Sequence, residues 1–254
     1  MKTTLTNGRH RSDAPRPAPG QTSGRDGGGG PIPWTWWIGG SVLLGAGLLL
    51  GIALLRWGAP HTGELALDEY LGARRVAALD AIAVAFGVLL GPIVAPLVLL
   101  VASLMVFRRH RPAAITLFTV TVVGWLSVGV GKLIFHRARP PFALVHALAF
   151  EGNADSFPSG HTAFGFALLF GVVLALRVAR RRTWPAWVIG IPVALGVAAS
   201  RVYAGVHYLG DVIAAPLFAA GAVALLVAAW LTVPQARRTA WAGRLFAAGH
   251  PRPS

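Results

Sequence analysis

The sequence contains no cysteine. That removes disulfides, thiolate metal ligands and a cysteine nucleophile, and leaves histidine, serine and carboxylate side chains to carry any chemistry. Charge is scarce as well: Asp, Glu, Lys and Arg make up 13% of the 254 residues, and only 9 are acidic against 23 basic. A chain so poor in charge lacks the polar face of an ordinary soluble domain. Apolar residues take its place, at 55% of the chain and a mean hydropathy of +0.61, gathered in long blocks with short polar connections. This pattern predicts an all-α, polytopic membrane bundle. The net charge of +14 could suit nucleic acid, but the basic residues lie in loops and tails beside apolar blocks rather than on one soluble face. Membrane topology accounts for them, and no nucleic-acid partner is expected.

Residues 1–33 are rich in Gly, Pro, Ser, Thr and Arg, with a glycine run at Gly27 to Gly30, and are expected to be a disordered tail. The first apolar block begins at Trp34 without a small-residue cleavage pattern, so it reads as a retained span rather than a signal peptide. Further blocks at 81–107, 113–135, 162–178, 185–200 and 212–233 give six expected transmembrane helices over 34–233, followed by a basic tail over 234–254. Pro92, Pro96, Pro192 and Pro216 lie inside blocks and are expected to kink helices rather than end them.

Lys and Arg set the orientation. Sixteen lie before span one, after spans two and four, or after span six; the other side carries seven, namely Arg56, Arg74, Arg75, Lys132, Arg137, Arg139 and Arg201. Both termini are therefore expected in the cytoplasm, with 136–161 and 201–211 on the outer face.

Three short segments fall at these outer ends. The first is Lys132 with Arg139-Pro140, the second Pro158-Ser159-Gly160-His161, and the third Ser200-Arg201 leading to His207 and Asp211. A cation inside an apolar block is costly, so Lys132 reads as functional, against the alternative that it snorkels to the interface. Arg139 and Arg201 carry planar donor forks that suit phosphate oxygens, or serve as interfacial cations. Ser159 and the following N–H groups stand at a helix start where an anion is favoured, Gly160 permits close approach, and His161 lies beside it; a turn and cap with an incidental histidine is the bland alternative. His207 and Asp211 share a helical i, i+4 spacing, by which a carboxylate can hold imidazole Nδ1–H while Nε2 points outward, or form a simple ion pair. Together the residues supply what phosphoryl transfer needs: fixed donors, an oriented nucleophile and a second histidine for the leaving oxygen.

These segments, Lys132-x6-Arg139-Pro140, Pro158-Ser159-Gly160-His161 and Ser200-Arg201-x5-His207-x3-Asp211, resemble the three-part signature of the type 2 phosphatidic acid phosphatase superfamily, in its six-helix membrane branch. The resemblance covers about 113–233 and leaves the N-terminal tail outside. It implies that His207 attacks phosphorus to form a phosphohistidine, that Asp211 orients it, and that His161 protonates the leaving group. It further implies that Lys132, Arg139, Ser159, Gly160 and Arg201 surround the phosphate, and that no metal or other cofactor is needed. The implied partner is a lipid phosphate or diphosphate within the membrane.

Glu151 and Asp155 precede His161 in one loop, and carboxylates with histidine can hold Mg²⁺ or Mn²⁺; the favoured reading of both is a solvated loop face or a headgroup contact. His136 and His146 read as loop residues. Glu64, Asp68 and Glu69 are further candidates for shaping headgroup choice. A lipid phosphotransferase would share the phosphohistidine, and a non-catalytic carrier would share the spans.

Overall fold

In lipid a backbone must satisfy its own N–H and C=O groups, and a helix does so within a single segment. The computed structural model describes residues 34–152 and 155–233, and its named elements are all helices. The expected tails, 1–33 and 234–254, lie outside the described residues. The order is α1 (Trp34–Thr62), α2 (Glu64–Gly72), α3 (Ala77–Leu89), α4 (Val94–Phe107), α5 (Arg111–Leu126), α6 (Val128–Phe135), α7 (Gly160–Val178), α8 (Trp184–Tyr203) and α9 (Leu209–Thr232).

Five segments are long and apolar enough to cross a membrane: α1, α5 continued by α6, α7, α8 and α9. The second expected span differs. It is α3 and α4, bent by 64° at a break around Gly91 and Pro92. The expectation that Pro92 kinks a continuous helix is corrected: helix stops at Leu89 and resumes at Val94. Proline supplies no N–H and crowds the preceding turn, so a Gly-Pro pair ends the hydrogen-bond ladder there. The pair still carries the chain across. Just before α3, Arg75 donates to the carbonyls of Tyr203 and His146, at the end where α8 finishes. The chain leaves α4 at Phe107 and enters α5, whose continuation α6 returns to that same end at Phe135. Counted as one span, the bent pair completes a six-crossing membrane bundle.

Large side chains such as Leu49, Ile52, Leu97, Met105, Leu133, Ile189 and Ile213 are exposed around the bundle, as a lipid-facing surface requires. Inside, α1 lies close against α9 because Gly47 leaves room for the ring of Phe218. Phe218 is edge-on to Phe157, which in turn meets Phe135 at 5.1 Å between ring centroids. Phe157 thereby seats the segment just before α7 between α6 and α9.

Candidate active site

His136 takes a left-handed conformation (φ 41°) that ends α6, and the chain then runs extended. A single antiparallel bridge pairs Ala138 with Asp155, and Ser156 N–H donates to the Arg137 carbonyl at 2.7 Å. Residues two apart would share a face of a regular strand, but this segment makes only one bridge, and its two arginines diverge: Arg137 turns inward to Asp211 and Glu64, and Arg139 reaches Glu151 in the cavity.

At the centre, His207 Nδ1 stands 3.5 Å from Asp211 Oδ2 and 3.4 Å from Ser156 Oγ, while Nε2 stands 3.2 Å from an Arg139 guanidinium nitrogen. A guanidinium has donors and no acceptor. Nε2 therefore accepts, and the imidazole proton belongs on Nδ1 beside the carboxylate. Burial pushes the His207 pKa down, with the Asp211 hydrogen bond opposing it, so the ring is neutral at pH 7. Asp211 is wholly buried and well supplied with donors: Arg137 at 2.6 Å, Tyr208 N–H at 2.9 Å and the Ser156 hydroxyl. Arg137 reaches on to Glu64 at 2.5 Å, and Glu64 accepts from Gly210 N–H at 2.7 Å.

Asp68 lies in this cluster with no side-chain hydrogen bond among the described residues. Burial, then Asp211 and Glu64, raise its pKa to about 8, so it is protonated at neutral pH. The expectation that Glu64 and Asp68 shape headgroup choice is corrected. Both side chains are buried, and Glu64 ties α2 to the start of α9.

His161 follows Ser159, whose hydroxyl caps α7 by accepting from Thr162. His161 Nε2 is 3.1 Å from the Gly87 carbonyl on α3. A carbonyl only accepts, so Nε2 carries a proton and Nδ1 faces the cavity. A Cβ placed on Gly160 would meet nothing within 4 Å, so the space beside Gly160 is open. Arg201 donates to the Ala83 carbonyl on α3 and, at 3.2 Å, to Ser200 Oγ. Lys132 donates to the Asp155 carbonyl at 2.6 Å, and Arg139, Asp211 and Glu151 are among its electrostatic neighbours. The eight candidate residues thus gather at one end of the bundle.

Glu151 is the surprise. The expectation of a solvated loop face is corrected: its carboxylate lies among the candidates, 2.8 Å from Arg139, 3.7 Å from His161 Nδ1 and 3.9 Å from His207 Nε2. Burial alone would raise its pKa, but His207, Arg139, His161 and Arg201 outweigh that and hold it below the usual carboxylate range. Glu151, His161 and His207 have the composition and closeness of a metal-ligand set. The guanidiniums of Arg139 and Arg201 at the same place favour an anion there instead. Sequence reasoning also missed Arg137, Ser156 and Gly87. The two-residue spacing of Arg137 from Arg139 would have set both on one face, and Ser156 and Gly87 carry no signal.

The model of the PAP2 superfamily matches residues 112–238, half of the chain. Among curated proteins, an undecaprenyl-diphosphatase of Sulfolobus acidocaldarius is 34% identical over 116 residues, 44% of this chain and 53% of that protein. The match therefore spans about half the length of that relative. Among solved structures, a transmembrane PAP2 type phosphatidylglycerolphosphate phosphatase from Bacillus subtilis superimposes with a TM-score of 0.61 at 22% identity. That superposition covers 75% of this chain and 94% of the other, and it establishes the likeness of fold.

Proposed function

The chain belongs to the PAP2 superfamily, and from that premise we propose that it is a multi-pass membrane phosphatase hydrolysing a lipid phosphate monoester or diphosphate through a phosphohistidine, without a metal. The observation that carries this reading is the polarity of His207: its Nδ1 faces a buried, multiply bonded carboxylate and its Nε2 lone pair faces Arg139. A neutral imidazole so oriented is a prepared nucleophile.

In the proposed reaction the phosphoryl oxygens lie among Arg139, Arg201, Lys132 and the N–H groups at the start of α7, where they are held in line for attack. His207 Nε2 forms a bond to phosphorus as the bond from phosphorus to the leaving oxygen breaks. The Nδ1 proton of a doubly protonated His161 passes to that oxygen. Asp211 stabilises the positive imidazole that results. Water then attacks the phosphohistidine, gives its proton to His161 and releases inorganic phosphate.

The relatives named above act on an isoprenoid diphosphate and a glycerophospholipid phosphate by their names. Both are phosphorylated lipids, and a substrate of that class is proposed here. The distribution of Lys and Arg supports cytoplasmic termini and a site on the extracytoplasmic face.

The test is phosphate release by the detergent-purified protein from a panel of lipid phosphates and diphosphates in excess EDTA, beside His207→Ala. Release that resists EDTA and falls by at least about a thousandfold in the variant is expected. Normal turnover by the variant would sink the phosphohistidine. Loss of release with EDTA would restore a metal mechanism, and phosphate passing to an added alcohol in preference to water would identify a transferase.

A further inference from the structure

Glu151 brings a carboxylate to the point where the proposed mechanism needs a phosphoryl group. Its Oε2 lies 2.8 Å from an Arg139 guanidinium nitrogen and 3.9 Å from His207 Nε2, and its Oε1 lies 3.7 Å from His161 Nδ1. The side chain is 21% exposed, between the buried histidine and the mouth of the site, where neighbouring Phe150 is 82% exposed. A carboxylate and a phosphoryl group ask for the same guanidinium donors, so both cannot occupy Arg139 in front of the histidines together. We propose that Glu151 is an intramolecular competitor of the substrate: its carboxylate fills the anion site of the resting protein and has to swing out before a phosphoryl group enters. This deepens the phosphatase reading and rests on it.

The geometry of the loop suits a side chain that leaves without unfolding what surrounds it. The stretch before Glu151 is tied down, Leu148 N–H donating to the Ala204 carbonyl at 2.9 Å, and the stretch after it is tied again where Ser156 meets Arg137. Between these anchors Glu151 is followed by Gly152, whose Cβ position meets nothing within 4 Å.

Displacing Glu151 costs the same whichever anion arrives. The ratio of two anions' affinities is therefore unchanged, while both affinities fall. A phosphate monoester or diphosphate, with more charge, still binds, whereas a singly charged phosphodiester headgroup, weaker from the outset, no longer fills the site. The resting site is thus held by the carboxylate rather than by phosphodiester lipid.

The experiment compares wild type, Glu151→Gln and Glu151→Asp in detergent micelles. Hydrolysis of a short-chain phosphatidate is measured against added inorganic phosphate and added phosphatidylglycerol, and inorganic phosphate binding is measured directly by calorimetry. Glu151→Gln is expected to bind inorganic phosphate about tenfold more tightly. It should also show a lower KM and become inhibited by phosphatidylglycerol levels that leave wild type untouched, with the shorter Glu151→Asp in between. Unchanged or weaker phosphate binding by folded Glu151→Gln overturns the proposal, as does a fall in kcat with phosphate affinity unchanged, which would give Glu151 a part in the chemistry. Because calorimetry needs no turnover, a wild type that hydrolyses no lipid phosphate would defeat the phosphatase reading while tighter binding by Glu151→Gln still upheld the competitor.

Discussion

Arg137 and Arg139 stand two residues apart and do different work. Arg139 faces the cavity, whereas Arg137 is 5% exposed behind it and joins Asp211 to Glu64. A guanidinium between two buried carboxylates is costly to remove, since each is left as an uncompensated charge. Arg137→Met is therefore expected to destabilise the fold by about 3–5 kcal/mol. Adding Glu64→Gln should restore part of the loss, because one stranded charge disappears with it. Thermal midpoints of the two single variants and the double variant in detergent check this, and simple additivity would deny the coupling. The residue scale is also where the sequence was least transparent. The three motifs marked His207, Asp211 and Arg139, but nothing in the letters separates Glu151 in the anion site from Asp155 four residues later, whose side chain pairs with His136 at 3.4 Å. Loop residues obey no periodicity, and only their path through space assigns them.

Among the elements, α3 carries no motif residue yet contributes two carbonyls, Ala83 to Arg201 and Gly87 to His161. Gly87 is needed at that point for want of a side chain: a Cβ there would sit 2.7 Å from an Arg201 guanidinium nitrogen. Gly87→Val should push the Arg201 head group aside while the helix persists. Inhibition by inorganic phosphate is then expected to weaken about tenfold, with the elution volume in size-exclusion chromatography unchanged. Unaltered inhibition would detach Arg201 from phosphate binding. The end of α3 at Leu89 follows from Gly91 and Pro92, a local signal that was present in the sequence and read as a milder kink. A proline inside an apolar run fits either outcome, and the 64° bend that decides between them depends on what each half packs against.

For the whole molecule, the orientation of the bundle decides which compartment the site serves. In the cysteine-free background, Ala149→Cys, on the loop at the site end, is expected to react with an impermeant maleimide added outside intact cells. Arg181→Cys, between α7 and α8, should react only after permeabilisation, and the reverse pattern would move the site to the cytoplasm. The helical membrane class and the family were legible in the sequence alone, because long apolar blocks have one economical solution in lipid and because Lys132, Arg139, Ser159, His161, Arg201, His207 and Asp211 keep local spacings that a linear chain displays. The tertiary structure alone decided three things: the bond from Arg137 to Asp211 and Glu64, the seating of Arg201 and His161 on α3, and the arrival of Glu151 among the phosphate donors. Each joins residues from segments distant in the chain or set on an irregular loop. Spacing along the sequence says nothing of such meetings, which are fixed by how the helices pack and by where buried charges find their partners.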